Sequence, residues 1–245
     1  DYKLVTDEKG KVKEIVRIER NQAHRLVEEC MLACNRSIAD WLAEKGSGFF
    51  IEHAGVRNER KGEVAALLKE HLPLGQKPSL DTLADYVSLM QQADQSASEL
   101  PLRMIVSRQL ERSNLSNEAK PHFGLGFQHY TTFTSPLRKY NDLIIHRIVR
   151  KLLQGEAAEA CDEALLAAIQ SGQANARIAA QQSESWLKLQ WLQQQDKDTI
   201  YPASIVHMNS GTITVRLDDS GIEGGIDRRK AGKEWTFDTK TLSHR

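Results

Sequence analysis

The spacing of apolar residues changes twice along this chain, and that change limits the possible folds more than any other feature. Residues 1–20, DYKLVTDEKGKVKEIVRIER, contain two short strand-like runs around Glu8-Lys9-Gly10. They predict a hairpin with Leu4 and Val5 before the turn and Val12, Ile15 and Ile18 after it. From Asn21 the period becomes helical. Ala23, Leu26, Val27, Cys30, Met31, Cys34, Ile38, Trp41 and Leu42 form one predicted apolar stripe that stops at Gly46. Helices are also expected around Val64–His71, Ser79–Gln92 and Leu102–Leu110, broken by Pro73 and Pro78, and again from Cys161 to Gln195. On the last of these, Leu166, Ile169, Ala176, Ala179, Trp186 and Trp191 fall on or near the side expected to be buried; tryptophans at such spacing are more often core than base-stacking platforms. From Thr199 the period returns to that of a strand: 200–206, a turn at Asn209-Ser210-Gly211, then Ile213, Val215 and Leu217 alternating. Strands at both ends and helices between them predict an α+β chain, helix-rich first and a partial β-barrel last.

At 245 residues the chain is long enough for one large domain and a small one. A hairpin rarely founds a domain alone and no methionine begins the chain, so the N-terminus is expected to be cut from something longer. With 40% hydrophobic and 27% charged residues, the composition is that of a globular protein, and no apolar run is long enough to cross a membrane. No secretory leader is visible either, and Cys30 and Cys34, one turn apart on the predicted apolar stripe, are expected to be buried thiols in a reducing cytoplasm. A zinc site on that pair lacks a second pair of ligands.

The stretch from His122 to Arg147, HFGLGFQHYTTFTSPLRKYNDLIIHR, carries the strongest chemical signal. Ser135 reads as a helix N-cap and Pro136 as the first helical residue, which puts Arg138 and Lys139 beside the positive end of the helix dipole. Two cations there are unfavourable unless an anion such as phosphate lies in front of the helix. An ordinary i,i+4 pair between Arg138 and Asp142 is an equally good account of the arginine alone. His129, Tyr130, Phe133 and the flexible Gly124 and Gly126 crowd ahead of the cap, and aromatics beside a phosphate-seeking arginine suggest single-stranded nucleic acid. Leu137, Tyr140, Ile144, Ile148 and Leu152 continue at helical spacing to Gly155. The formal net charge is zero, so any such contact has to be local. Arg147, Arg150 and Lys151 extend the first basic patch, and Arg228, Arg229, Lys230 and Lys233 form a second, which is as well explained as a solvated face.

The run from Tyr130 to Asp142, YTTFTSPLRKYND, closing on His146 and Arg147, resembles the signature of the ribonuclease II (RNB) family. The run from Ala23 to Asn35, AHRLVEECMLACN, resembles that family's helix carrying two glutamates, Met-Leu and an Asn. The similarity covers residues 1–197 as the C-terminal part of an RNB catalytic domain, and 198–245 resembles the start of an RNA-binding OB-fold, with about three of the five strands a barrel needs. The resemblance implies a processive 3′→5′ exoribonuclease that hydrolyses single-stranded RNA to nucleoside 5′-monophosphates, cytoplasmic, monomeric and not membrane-bound. It implies that Arg138 is the catalytic arginine at the scissile phosphate, with Tyr130, Ser135 and Lys139 on the RNA path and Glu28 and Glu29 at the terminal ribose. It also implies Mg2+, held by aspartates expected upstream of Asp1, with no metal ligand in this chain. One departure is visible at Ala179-Ala-Gln-Gln182, where the family often carries an acidic residue. From the residues themselves, surface acids remain the default reading of Glu28 and Glu29, and an RNA-binding module or a structural fragment remains the alternative to an enzyme.

Overall fold

The predicted hairpin forms. In the computed structural model, β1 (Tyr2–Thr6) pairs antiparallel with β2 (Val12–Arg17), and Gly10 takes the positive φ that the turn between them needs. The structure describes residues 2–76, 78–98, 100–158, 161–208, 211–227, 237–238 and 243–244. The remaining described elements are α1 (Gln22–Glu44), β3 (Phe50–Glu52), α2 (Lys61–His71), α3 (Leu83–Gln95), α4 (Leu102–Ser107), β4 (Asn114–Ser116), α5 (Tyr140–Leu153), α6 (Glu163–Leu192), β5 (Ala203–Met208), β6 (Thr212–Leu217), β7 (Glu223–Asp227), β8 (Phe237–Asp238) and β9 (Ser243–His244). The chain divides into two units, residues 23–174 and residues 1–22 with 175–245.

The first unit has two apolar clusters. One gathers α2, α3 and α4 around Leu68, Met90 and Val106, with Phe123 against them. The other sets Ala39 and Leu42 of α1 against Phe49, Phe50, Ile144, Ile145 and Ile148. Helix ends are locally encoded: Thr82 Oγ1 accepts from the Asp85 N–H at the start of α3, and Asp162 Oδ1 accepts from Leu165 N–H at the start of α6. α5 ends in a Schellman turn, with Glu156 N–H on Lys151 C=O, Gly155 N–H on Leu152 C=O and Gly155 left-handed. β3 and β4 pair antiparallel, a connection that the sequence reading passed over because each strand is only three residues long.

In the other unit β5, β6 and β7 form an antiparallel sheet in that order, beginning at Ala203 rather than at 200, and no closed barrel occurs among the described residues. Val12, Ile15 and Ile222 make its core, with Tyr2, Leu187, Trp191 and Leu217 packed on it. Tyr2 Oη donates to Asp218 C=O, and a Cβ on Gly221 would collide with the Tyr2 ring. The expected turn at Asn209-Ser210 and the basic residues Arg228, Arg229, Lys230 and Lys233 lie outside the described residues.

Several expected faces differ. Residues 21–30 are exposed on every side of α1, with Leu26 at 66% and Val27 at 58%, and Cys30 and Cys34 are exposed rather than buried. The helical period was legible, but burial requires an opposing surface, and α1 meets one only from Met31 onward. Asn35, the last residue of the Ala23–Asn35 motif, is buried. On α6, Ala176, Ala179 and Trp186 are exposed, as is every residue from 174 to 186. No described helix is long and apolar enough to cross a membrane.

Candidate functional site

Residues 129–135 form an irregular segment that neighbouring elements hold from three directions. From β3 and the residue before it, Ile51 N–H donates to Tyr130 C=O at 2.7 Å, and Thr131 Oγ1 donates to Phe49 C=O at 2.8 Å. From α1, Asn35 accepts at Oδ1 from Phe133 N–H at 2.9 Å and donates through Nδ2 to Tyr130 Oη at 3.0 Å, while Asp40 meets His129 Nδ1 at 3.0 Å. From α5, Asn141 donates to Thr132 Oγ1, His146 bonds Phe133 C=O, and the His146 ring stacks on Phe133 with centroids 3.8 Å apart. These contacts satisfy backbone groups that a buried loop would otherwise leave unpaired.

The helix does not begin where the sequence suggested. Residues 136–138 form a turn, Ser135 C=O accepts from both Arg138 N–H and Lys139 N–H, and α5 starts at Tyr140 with Lys139 as its cap. Ser135 is therefore not an N-cap, and Arg138 and Lys139 lie before the helix rather than in its first turn. The physical reason is Asp142. This completely buried carboxylate stands in the first turn of α5 and accepts at Oδ2 from Ser135 N–H at 2.8 Å, so the anion that the helix dipole favours is supplied by the chain itself. Asp142 consequently does not pair with Arg138, and no ion pair forms on Arg138 among the described residues. Leu137 is 102% exposed and Tyr140 57%, so neither belongs to the apolar stripe; Arg138 and Lys139 are exposed with them.

Tyr130 is half-buried between the rings of His122, edge-on at 5.2 Å, and Phe127 at 6.0 Å. Arg36 of α1 lies over Phe127 at 5.2 Å. His122 Nδ1 accepts from Leu125 N–H, which fixes the neutral tautomer, and burial with the nearby His53 pushes its pKa down to about 4. His53 bonds Glu111 C=O through Nε2, and a Cβ on Gly124 would lie 2.5 Å from its Nδ1. Gly124 and Gly126 are thus not flexible spacers. The first allows a close approach, and the second, at φ 71°, ends a tight turn over Phe123–Leu125.

The contacts unite Tyr130 and Ser135, with Arg138 and Lys139 on the adjoining turn, in one anchored segment. Glu28 and Glu29 remain exposed on α1, and Glu28 shares the Asn35 face about two turns earlier. Asn35, His53, His122 and Asn141 were not singled out as site residues from sequence. Asn35 was visible only as the last residue of a motif, and nothing local marks a buried histidine. Clefts of about 370 and 360 Å3 share Glu52 and Lys120, and neither is lined by Tyr130 or Arg138. Among the described residues no three His, Cys, Asp or Glu side chains come together as metal ligands. The described side chains therefore do not by themselves make a magnesium site.

The chain resembles known proteins along most of its length. Exoribonuclease 2 of Klebsiella pneumoniae is 35% identical over 224 residues, covering 90% of this chain and 34% of that protein. The chain thus spans about a third of the length of the curated relatives it matches. RNase R of Mycoplasma genitalium, solved with ribose-methylated single-stranded RNA, superposes with a TM-score of 0.73 at 20% identity over all of this chain and 40% of its own. A yeast pseudonuclease superposes with a TM-score of 0.59 at 14% identity, over 85% of this chain and 27% of its own. These two likenesses show a shared fold. The RNB domain profile matches residues 1–155, more than half of the sequence, and the chain belongs to the RNB domain family.

Proposed function

We propose that this chain is the RNA-facing part of an exoribonuclease that hydrolyses single-stranded RNA from its 3′ end, processively, to nucleoside 5′-monophosphates. The observation that carries this reading is the Ser135–Lys139 turn. It presents Arg138, exposed and free of ion pairs among the described residues, from a base pinned by Asp142, Asn141 and Asn35. A guanidinium on a fixed support is suited to hold two oxygens of a phosphate and to stabilise the charge that develops as the ester bond breaks. In this reading Arg138 is the catalytic residue, Tyr130, Ser135 and Lys139 line the RNA path, and Glu28 or Glu29 accepts from the 2′-hydroxyl of the terminal ribose, the group that distinguishes RNA from DNA. Residues 1–197 act as the catalytic-domain part and 198–245 as an OB-like RNA-binding part, in a cytoplasmic monomer. Hydrolysis of this kind would draw its activated water from magnesium held by residues outside those described.

The likeness to a pseudonuclease gives the second reading, RNA binding without hydrolysis, a specific basis. Arg138→Lys in the intact protein separates the two. Turnover of a single-stranded RNA is expected to fall by ~10²–10³, because lysine keeps the charge but loses the planar fork. RNA affinity and melting temperature should barely move, since Arg138 makes no ion pair among the described residues. Wild-type cleavage by the variant removes Arg138 from the mechanism. Binding without release of monophosphates by the wild type supports the second reading.

A further inference from the structure

Asn35 is buried in α1, yet both ends of its amide are engaged by the site segment. Its orientation follows from chemistry alone. Phe133 N–H can only donate, so the atom facing it must be Oδ1, and Nδ2 must therefore face Tyr130 Oη. The phenol oxygen accepts that bond, so its own hydrogen has to point elsewhere, and it donates to nothing among the described residues. The ring is kept from turning away by His122 on one side and Phe127 on the other.

We infer that Asn35 is a positioning residue that makes the Tyr130 hydroxyl a directed hydrogen-bond donor to an acceptor oxygen of the bound RNA strand. The inference rests on the proposal that this segment lies on the RNA path. It assigns to the buried Asn a task beyond filling space: a residue of the same shape but opposite hydrogen-bonding sense must reverse the phenol. In Asn35→Asp the carboxylate still accepts from Phe133 N–H, but its second oxygen also accepts, drawing the Tyr130 hydrogen inward and away from the ligand.

The test uses the intact protein, a short fluorescent oligoadenylate, and the variants Asn35→Asp, Tyr130→Phe and the double variant. Each single change is expected to weaken binding about three- to tenfold, the range for one lost hydrogen bond. The double variant should bind no more weakly than either single one, because both remove the same donor. A structural role does not predict the accompanying spectroscopic change. The Raman Fermi doublet of Tyr130, isolated by subtracting the Tyr130→Phe spectrum, should change from an accepting to a donating phenol in Asn35→Asp. Additive losses, wild-type affinity in Asn35→Asp, or an unchanged doublet each overturn the inference. If Asn35→Asp fails to fold, Tyr130→Phe alone decides, since it keeps the ring and removes only the hydroxyl; unchanged affinity overturns the idea. A wild-type protein that does not bind the oligonucleotide overturns the RNA reading together with this one, whereas binding that is indifferent to the variants overturns this one alone.

Discussion

One side chain, His122, refuses a proton: its Nδ1 is occupied by Leu125 N–H, its ring is buried, and His53 stands beside it. Its folded pKa of about 4 lies below the ordinary histidine value of 6.5. The unfolded chain therefore takes up a proton below 6.5 that the folded chain declines until about 4, so stability is lost as pH falls through that window and levels off beneath it. The loss attributable to this ring is on the order of 3 kcal/mol. His122→Asn can still accept from Leu125 N–H and cannot titrate. Its melting temperature is expected to depend less on pH between about pH 7 and pH 4 than that of the wild type. Equal slopes in the two proteins refute the assignment. Gly124 belongs to the same cluster, since any side chain there meets His53 before it meets solvent.

At the scale of elements, the start of α5 decides where Arg138 points. Asp142→Ala removes the acceptor of Ser135 N–H and the carboxylate in the first turn, an expected cost of ~1–3 kcal/mol. It should also slow RNA cleavage, although Asp142 is buried and unable to touch a substrate, because the turn carrying Arg138 loses its footing. Thermal melts and turnover measured on the same preparation check both parts, and an unaltered melt refutes the capping role. This start shows how far sequence can be read. The hairpin, the long helices and the Gly155 stop were legible because each rests on neighbours within a few residues. Ser-Pro ahead of an apolar period carries the usual signs of a helix start, and Asp142 overrode them by bonding back across seven residues. Burial of Asn35 is likewise set from afar, because Tyr130 and Phe133, far along the chain, supply partners for its amide. The motif from Tyr130 to Asp142 pointed to the family that the RNB match shows, and only the distant contacts revealed the segment's conformation.

For the whole molecule, exposure rather than residue type governs reactivity. Of the three cysteines, Cys30 and Cys34 are exposed on α1, and Cys161 is buried with its thiol pKa raised by that burial. A thiol reagent added to the native protein is expected to modify two groups quickly and the third only after denaturation. Rapid reaction of all three shows that Cys161 is not enclosed. α6 has a similar consequence in backbone motion. Its first turns are fixed through Leu166 and Ile169, and its last through Leu187, Trp191 and Leu192, but nothing is buried from 174 to 186. Across that span the helix has its alanine and glutamine propensity and one i,i+4 pair, Glu184 with Lys188, but no buried contact, and a stretch of that length without packing is only marginally stable in water. Its amides should exchange with deuterium long before those at either end, so that the longest helix melts from its middle outward.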